Sequence, residues 1–171
     1  MITLIAGGIG ITPILPIIKY LKSRDKDGLS QQRIHLVWSI REPKLIKTFK
    51  NQINELLSKG EMKCGSYQSQ ALTKCGEELG DIAAFIIDIY CTSTEKSITK
   101  DVENSSGIDS FTMHHGRPDT HEIISNNVSC DDSIGITDHC VIMCGPKELL
   151  RDASNVCIEK GIDYHSEVFN W

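Results

Sequence analysis

The sequence predicts an α/β protein in which helices cover both faces of an open parallel sheet of about five strands. Two observations support this prediction. Short apolar runs rich in β-branched residues alternate with amphipathic segments of helical length. The residues best suited to bind a ligand also fall directly after these apolar runs. A chain of 171 residues is long enough for one domain with a substantial core.

The first apolar run, residues 4–18, predicts a strand, a glycine turn and a helix that continues to Leu21. Gly8 and Gly10 allow a sharp turn and a close approach to an anionic ligand. Pro13 is expected at the first helical position, where its missing N–H removes no helix hydrogen bond. Such a helix start directs N–H groups and a positive dipole end toward a phosphate. The same pattern also occurs in domains that bind no nucleotide.

The remaining elements follow from periodicity and from residues typical of turns. Strands are expected at residues 33–40, 85–92, 111–115, 139–143 and 164–169. Helices are expected at residues 44–59, 120–127 and 147–160. Asp119 is placed to cap the second of these helices, and Gly161 is placed to end the third. Residues 61–83 have no clear pattern, and residues 93–107 are predicted to form a flexible insertion.

Candidate binding residues cluster after the predicted strands. Gly8 and Gly10 follow the first strand, Arg41 follows the second, Arg117 follows the fourth, and residues 144–146 follow the fifth. Open parallel sheets bind their ligands beyond the carboxyl ends of the strands, where the strand order reverses. The sequence therefore predicts a ligand site at this edge of the sheet.

Composition excludes several classes of protein. The net charge of −5 and the 24% content of charged residues do not indicate a nucleic-acid-binding or disordered protein.

Seven cysteines without a C-x-x-C pair favour reduced thiols in a cytosolic compartment. His114, His115 and His121 are close in sequence, but no set of thiolates or carboxylates with ligand spacing accompanies them, so no metal site is predicted. Residues 2–18 are too short and too interrupted to span a membrane.

Five motifs resemble one known family in their order and spacing. They are GGIGITP, HLVWSIRE, HHGRPD, IMCGP and the terminal SEVFNW. Together they resemble the nicotinamide-binding lobe of ferredoxin-NADP reductase-like enzymes, and within that superfamily the ferric reductase and NADPH oxidase branch. The resemblance implies a Rossmann-like NADP-binding lobe. It spans nearly the whole chain except residues 61–110, where only Tyr90, Cys91 and Thr92 match.

The resemblance implies a nicotinamide dinucleotide as cofactor. The residues that would cradle its pyrophosphate beside the nicotinamide are Gly8, Gly10, Ile11, Thr12 and Pro13. Arg41 and Arg117 would hold the 2′-phosphate of NADPH, because a guanidinium makes paired charged hydrogen bonds to phosphate. Glu42 beside Arg41 leaves NADH open as an alternative. A surface ion pair is the alternative role for each arginine.

The resemblance also implies which residues contact the reacting atoms. Cys144 would lie beside the nicotinamide C4 and position it, with Gly145 and Pro146 as further cofactor contacts. A buried structural cysteine is the alternative. Glu167 would be the acidic residue near the reacting atoms. Phe169 would stack on the flavin ring and move aside for nicotinamide. Trp171, two residues further on, is typical of fungal-type ferric reductases.

Finally, the resemblance implies a larger parent enzyme, of which this chain is the C-terminal part. A FAD-binding domain and a transmembrane haem domain of the same chain would be its partners. This piece would lie on the cytosolic side of the plasma membrane without spanning it. The parent would pass a hydride from NADPH to FAD and electrons through haem to ferric or cupric chelates. Alone, this piece would be inactive. A superoxide-generating NADPH oxidase, a non-catalytic nucleotide-binding scaffold and a flavodoxin-like binding module are the alternatives.

Overall fold

The part of the chain that the structure describes forms an open sheet of six strands with four α-helices. The computed structural model describes residues 1–24, 33–58, 85–93, 111–134 and 138–168. Within these residues the elements are β1 (Ile2–Gly7), a 3-10 turn (Gly8–Gly10), α1 (Ile11–Arg24), β2 (Ile34–Ile40), α2 (Lys44–Ser58), β3 (Phe85–Cys91), β4 (Thr112–His115), α3 (Thr120–Ile134), β5 (Cys140–Gly145), α4 (Lys147–Lys160) and β6 (Asp163–Val168).

All strand pairs are parallel, and the strand order is β4-β3-β2-β1-β5-β6. The chain moves outward from β1 through β2 and β3 to β4, and then crosses back to place β5 on the other side of β1. The order therefore reverses between β1 and β5, whose carboxyl ends lie side by side. The predicted fold class is confirmed, with six strands in place of about five. The strand β6 is exposed along its whole length.

Helices cover both faces of the sheet, as predicted. On one face α1 and α2 pack over a core that includes Leu4, Ile18 and Trp38. On the other face α3 and α4 pack over a second core that includes Ile5 and Ile124. Alternate residues of β1 thus enter different cores, because successive strand side chains point to opposite faces. Both faces of the central strands are therefore shielded from water.

Several element boundaries differ from the sequence predictions, and three of them affect how the elements are interpreted. The helix α1 begins at Ile11, so Pro13 is its third residue and not its first. Proline is tolerated there because N–H groups of the first turn have no acceptor inside the helix. The helix α3 continues to Ile134, beyond the predicted end at residue 127, through a polar stretch without apolar periodicity. The strand β5 includes Cys144 and Gly145, which were expected to follow it.

Two predicted helix ends are confirmed. The backbone N–H of Glu122 donates to the Asp119 carboxylate at 3.0 Å, which caps the start of α3. The helix α4 spans Lys147–Lys160 and ends before Gly161, which adopts the left-handed conformation. Some predictions concern residues outside the described part of the chain. These are residues 61–83, residue 169 and nearly all of the predicted flexible insertion.

A network of polar side chains lies under α3 and connects four strands. The Asp88 carboxylate accepts hydrogen bonds from His35 Nε2 at 2.8 Å and from His114 Nε2 at 2.9 Å. Asn127 of α3 donates to Thr3 Oγ1 at 2.8 Å, and its amide nitrogen lies 3.0 Å from His35 Nδ1. The network therefore links β1, β2, β3 and β4 to the helix above them.

The environment of Asp88 favours its ionised form. Burial acts to raise the pKa of the carboxyl, but the hydrogen bonds from His114 and His35, together with their charges, outweigh burial and hold the pKa well below its usual range. A carboxyl with a lowered pKa in the folded state stabilises the fold above its ordinary pKa. That contribution disappears as the pH falls through the lowered value.

We expect Asp88→Asn to lower the free energy of unfolding by about 2–3 kcal/mol at pH 7, because two buried hydrogen bonds lose their charged acceptor. The difference from wild type should shrink as the pH falls below the ordinary pKa of a carboxyl, because the unfolded chain takes up a proton there while folded Asp88, with its lowered pKa, stays ionised. Urea denaturation at several pH values measures both effects.

Asp152→Asn is the matched control, because Asp152 is exposed and forms only a surface ion pair with Arg151 at 3.4 Å. We expect it to change stability by less than about 0.5 kcal/mol. Equal effects of the two substitutions at pH 7 would contradict a stabilising role for the network.

Candidate functional site

The glycine turn after β1 packs directly against the end of β5. A Cβ on Gly10 would lie 2.2 Å from the carbonyl oxygen of Cys144, and a Cβ on Gly145 would lie 2.9 Å from the Cα of Gly7. These contacts involve backbone atoms, which cannot move aside as a flexible side chain can. Close packing of β1 on β5 thus requires glycine at these positions. Gly8 has a φ of +55° and open space around it. Glycine is therefore favoured there by the backbone conformation and not by a lack of room for a side chain.

Two of the three carbonyl groups of the turn, those of Gly8 and Ile9, accept hydrogen bonds from side chains of the protein. The indole Nε1 of Trp38 donates to the carbonyl of Gly8 at 2.8 Å. The hydroxyl of Thr12 donates to the carbonyl of Ile9 at 2.7 Å. Sequence reasoning missed the contact of Trp38. A buried tryptophan usually finds an acceptor for its N–H, but the sequence did not identify which one.

The residues at the start of α1 differ in how they could meet a ligand. The side chain of Ile11 is fully buried in the core beneath the turn. A ligand above the turn could therefore meet only its backbone. Thr12 is exposed and Pro13 is partly exposed. The turn and the first residues of α1 together form a helix start at the point where the strand order reverses, which favours anion binding.

Both candidate arginines lie at the carboxyl edge of the sheet. Arg41 directly follows β2, and Arg117 follows β4 after Gly116, whose φ is +95°. These strands are separated by β3 alone, so their ends are about 10 Å apart. Two extended arginine side chains can reach a common ligand across that distance.

Arg117 makes a surface ion pair, the alternative role that the sequence left open. Its Nη1 lies 3.6 Å from Oε2 of Glu148 in the first turn of α4, and both side chains are largely exposed. A pair of this kind contributes little to stability because water screens both charges. A phosphate could therefore replace Glu148 as partner of Arg117 at low cost.

Cys144 lies near the end of β5, which is the strand between β1 and β6. It pairs with Ala6 on one side and with Glu167 on the other, and its side chain is only 2% exposed. Burial raises the pKa of the thiol, and the Glu167 carboxylate raises it further. The thiol is thus neutral at physiological pH, which suits a positioning role better than a nucleophilic one.

Of the remaining candidate site residues, the structure describes Glu167 but not Phe169 or Trp171. Glu167 is exposed, and its Oε1 lies 3.6 Å from Nε2 of His165. Phe169 and Trp171 lie outside the described residues. The cysteines that the structure describes, Cys91, Cys140, Cys144 and Cys157, are free thiols.

The histidine cluster noted in the sequence does not assemble into a metal site in the described part of the chain. His114 pairs with Asp88, and no group of three or more His, Cys, Asp or Glu side chains there is arranged to hold a metal ion. None of the described helices combines the length and apolar character that crossing a bilayer requires.

A parallel sheet with order reversal between β1 and β5, and a glycine turn and helix start at that point, defines a Rossmann-like nucleotide-binding domain. The model of the ferric reductase NAD-binding domain family matches residues 1–158. The chain belongs to this family, and the resemblance noted in the sequence is confirmed.

Two curated relatives carry the name "Probable metalloreductase AIM14". The protein from Meyerozyma guilliermondii is 24% identical over 166 residues, which cover 97% of this chain and 30% of the relative. The protein from Scheffersomyces stipitis is 26% identical over 178 residues, which cover 98% of this chain and 32% of the relative. The chain thus spans about a third of the length of these relatives. It is similar over nearly its whole length to part of a reductase.

The close packing of the turn leads to a test. We expect Gly10→Ala to lower the free energy of unfolding by about 1–3 kcal/mol, because the new methyl group would overlap the carbonyl oxygen of Cys144. Gly8→Asn is the matched control, since asparagine tolerates a positive φ and meets no neighbouring atom there. We expect it to cost less than Gly10→Ala. Urea denaturation compares the two, and a neutral Gly10→Ala would contradict the packing described here.

Proposed function

We propose that this chain is the NADPH-binding domain of a transmembrane ferric-chelate reductase. The whole enzyme would pass a hydride from NADPH to FAD and then electrons through haem to ferric or cupric chelates. Membership of the ferric reductase NAD-binding family supports the nicotinamide cofactor. The name metalloreductase, carried by both curated relatives, favours metal chelates over oxygen as the final acceptor.

The observation that carries this proposal is the glycine turn at the reversal of strand order. Two of its carbonyl groups are paired with Trp38 and Thr12, so the turn and the start of α1 can offer N–H groups to an anion. The space around Gly8 is open to a bound molecule. These features fit the pyrophosphate of a dinucleotide. The residues proposed to hold it are Gly8, Gly10, Ile11 through its backbone, Thr12 and Pro13.

Arg41 and Arg117 are proposed to bind the 2′-phosphate that distinguishes NADPH from NADH. Both are exposed at strand ends on the same edge of the sheet as the glycine turn. A guanidinium forms two parallel hydrogen bonds with phosphate and carries a permanent positive charge. In a chain with a net charge of −5, two such groups supply the local positive charge that the ligand needs.

The end of β5 is proposed to receive the nicotinamide. When bound, the nicotinamide supplies the hydride, and the protein supplies orientation and a water-poor surface. The neutral thiol of Cys144 would position the ring without adding charge, while Gly145 and Pro146 would border it. Glu167, beside Cys144 in the sheet, would lie near the reacting atoms. Phe169 and Trp171 are proposed as the aromatic contacts at the flavin side.

A FAD-binding domain and a transmembrane haem domain of the same protein are the proposed partners. The curated relatives are about three times as long as this chain, which leaves room for such domains in a protein of this kind. The nucleotide-binding domain would face the cytosol, beneath what we propose is the plasma membrane. Without a flavin to accept the hydride, we expect the chain alone to bind nucleotide without turning it over.

Calorimetric titration with 2′,5′-ADP and with 5′-AMP tests the cofactor assignment without the flavin domain. We expect 2′,5′-ADP to bind more tightly, because only it carries the 2′-phosphate. Arg117→Ala should weaken 2′,5′-ADP binding about 10-fold or more through loss of charged hydrogen bonds. The same substitution should leave 5′-AMP binding nearly unchanged.

Arg151→Ala is the matched control, because Arg151 is also exposed and paired with a neighbouring carboxylate. It should leave both ligands unaffected. Equal weak binding of the two ligands by the wild-type chain would point to NADH in place of NADPH. Failure to bind either ligand would overturn the proposed function.

A further inference from the structure

We propose that Trp38 is a positioning residue for the pyrophosphate of the dinucleotide, acting through the peptide between Gly8 and Ile9. This inference rests on the proposed function, because it concerns how the same site is held ready for its ligand. The indole N–H of Trp38 would fix the direction in which this peptide points.

The donor of this hydrogen bond is held by the core and not by the loop. Trp38 lies in the middle of β2, between Ala6 of β1 and Ile89 of β3, and is fully buried. Its ring meets the ring of Phe49 from α2 edge to face, with centroids 5.9 Å apart and an interplanar angle of 84°. The indole nitrogen therefore occupies a fixed position beneath the turn, 2.8 Å from the carbonyl oxygen of Gly8.

Fixing this carbonyl also fixes the N–H on the other side of the peptide. In a planar trans peptide the C=O and N–H bonds point in opposite directions. Since the carbonyl of Gly8 points inward to Trp38, the N–H of Ile9 points outward, away from the core. Ile9 is itself exposed, with 39% of its surface accessible. The outward N–H is thus directed toward the side on which the proposed nucleotide binds.

Without Trp38, this peptide would be free to turn over. Gly8 has a φ of +55° and no Cβ, so it can exchange between conformations that other residues avoid. A reversed peptide would present the carbonyl of Gly8 to the ligand, and its partial negative charge would repel a phosphate. The hydrogen bond from Trp38 opposes this reversal. Thr12 holds the carbonyl of Ile9 in the same way from the exposed side.

Trp38→Phe removes the donor and keeps an aromatic ring in the core. We expect the affinity for NADP⁺, which contains the pyrophosphate, to fall about 5- to 20-fold through loss of the oriented N–H. The affinity for adenosine 2′-monophosphate, which lacks the pyrophosphate, should stay within about twofold, because its phosphate meets only the arginines. Calorimetric titration of the 171-residue chain measures both ligands.

Ile53→Val is the matched control. It perturbs the same core but leaves both the indole donor and its contact with the Phe49 ring in place. We expect it to lower stability while leaving the ratio of the two affinities as in wild type. NMR of the wild-type chain provides a second test that needs no variant. NADP⁺ should shift the backbone N–H signal of Ile9, and adenosine 2′-monophosphate should leave it in place.

The outcomes separate this inference from the proposed function. A selective loss of NADP⁺ affinity in Trp38→Phe and a selective shift of the Ile9 N–H signal by NADP⁺ support it. Equal losses of affinity for both ligands in Trp38→Phe would show that Trp38 acts only through the fold. No loss for either ligand would show that the orientation of the peptide does not depend on Trp38. Each of these results would overturn this inference but leave the proposed function intact. A wild-type chain that binds neither ligand would overturn the proposed function and this inference together.

Discussion

The close approach of β1 and β5 is the constraint on which the site depends. Their carboxyl ends meet backbone to backbone at Gly7, Gly10 and Gly145, without room for a single Cβ. This contact places the turn after β1 beside the backbone carbonyl of Cys144 and beside the start of α4. The reversal of strand order then leaves a crevice at the same point. The cofactor turn and the proposed nicotinamide contacts are thus held together by packing, before any ligand binds.

Much of the fold could be predicted from local patterns. The apolar runs of β2 and β3 are short, β-branched and bounded by polar residues, and the periodicity of α4 ends at Gly161. The predictions were wrong where local patterns carry little information. The start of α1 moved to Ile11 because a 3-10 turn precedes it, and the polar end of α3 is helical without apolar periodicity. At both positions the local sequence pattern does not specify where the helix begins or ends.

The positions of the candidate site residues could be predicted from the sequence, but the contacts between their side chains could not. Residues at strand ends are recognisable from sequence, because parallel strands share one edge, and Arg41 and Arg117 do lie there. Side-chain contacts between strands are not recognisable in this way. The hydrogen bond from Trp38 to Gly8 joins residues 30 positions apart, and the bond from His35 to Asp88 joins residues 53 apart. Such pairs depend on the register of the sheet, which the sequence alone did not specify.

The exposed strand β6 has a consequence for how the protein avoids unwanted association. As an edge of the described sheet, it presents backbone groups that another strand could pair with. Charged or ionisable side chains recur along one of its faces at Asp163, His165 and Glu167. Bringing a second strand alongside would crowd and desolvate these groups, which disfavours sheet-to-sheet aggregation. Glu167 would then protect the solubility of the domain in addition to any part it takes in the reaction.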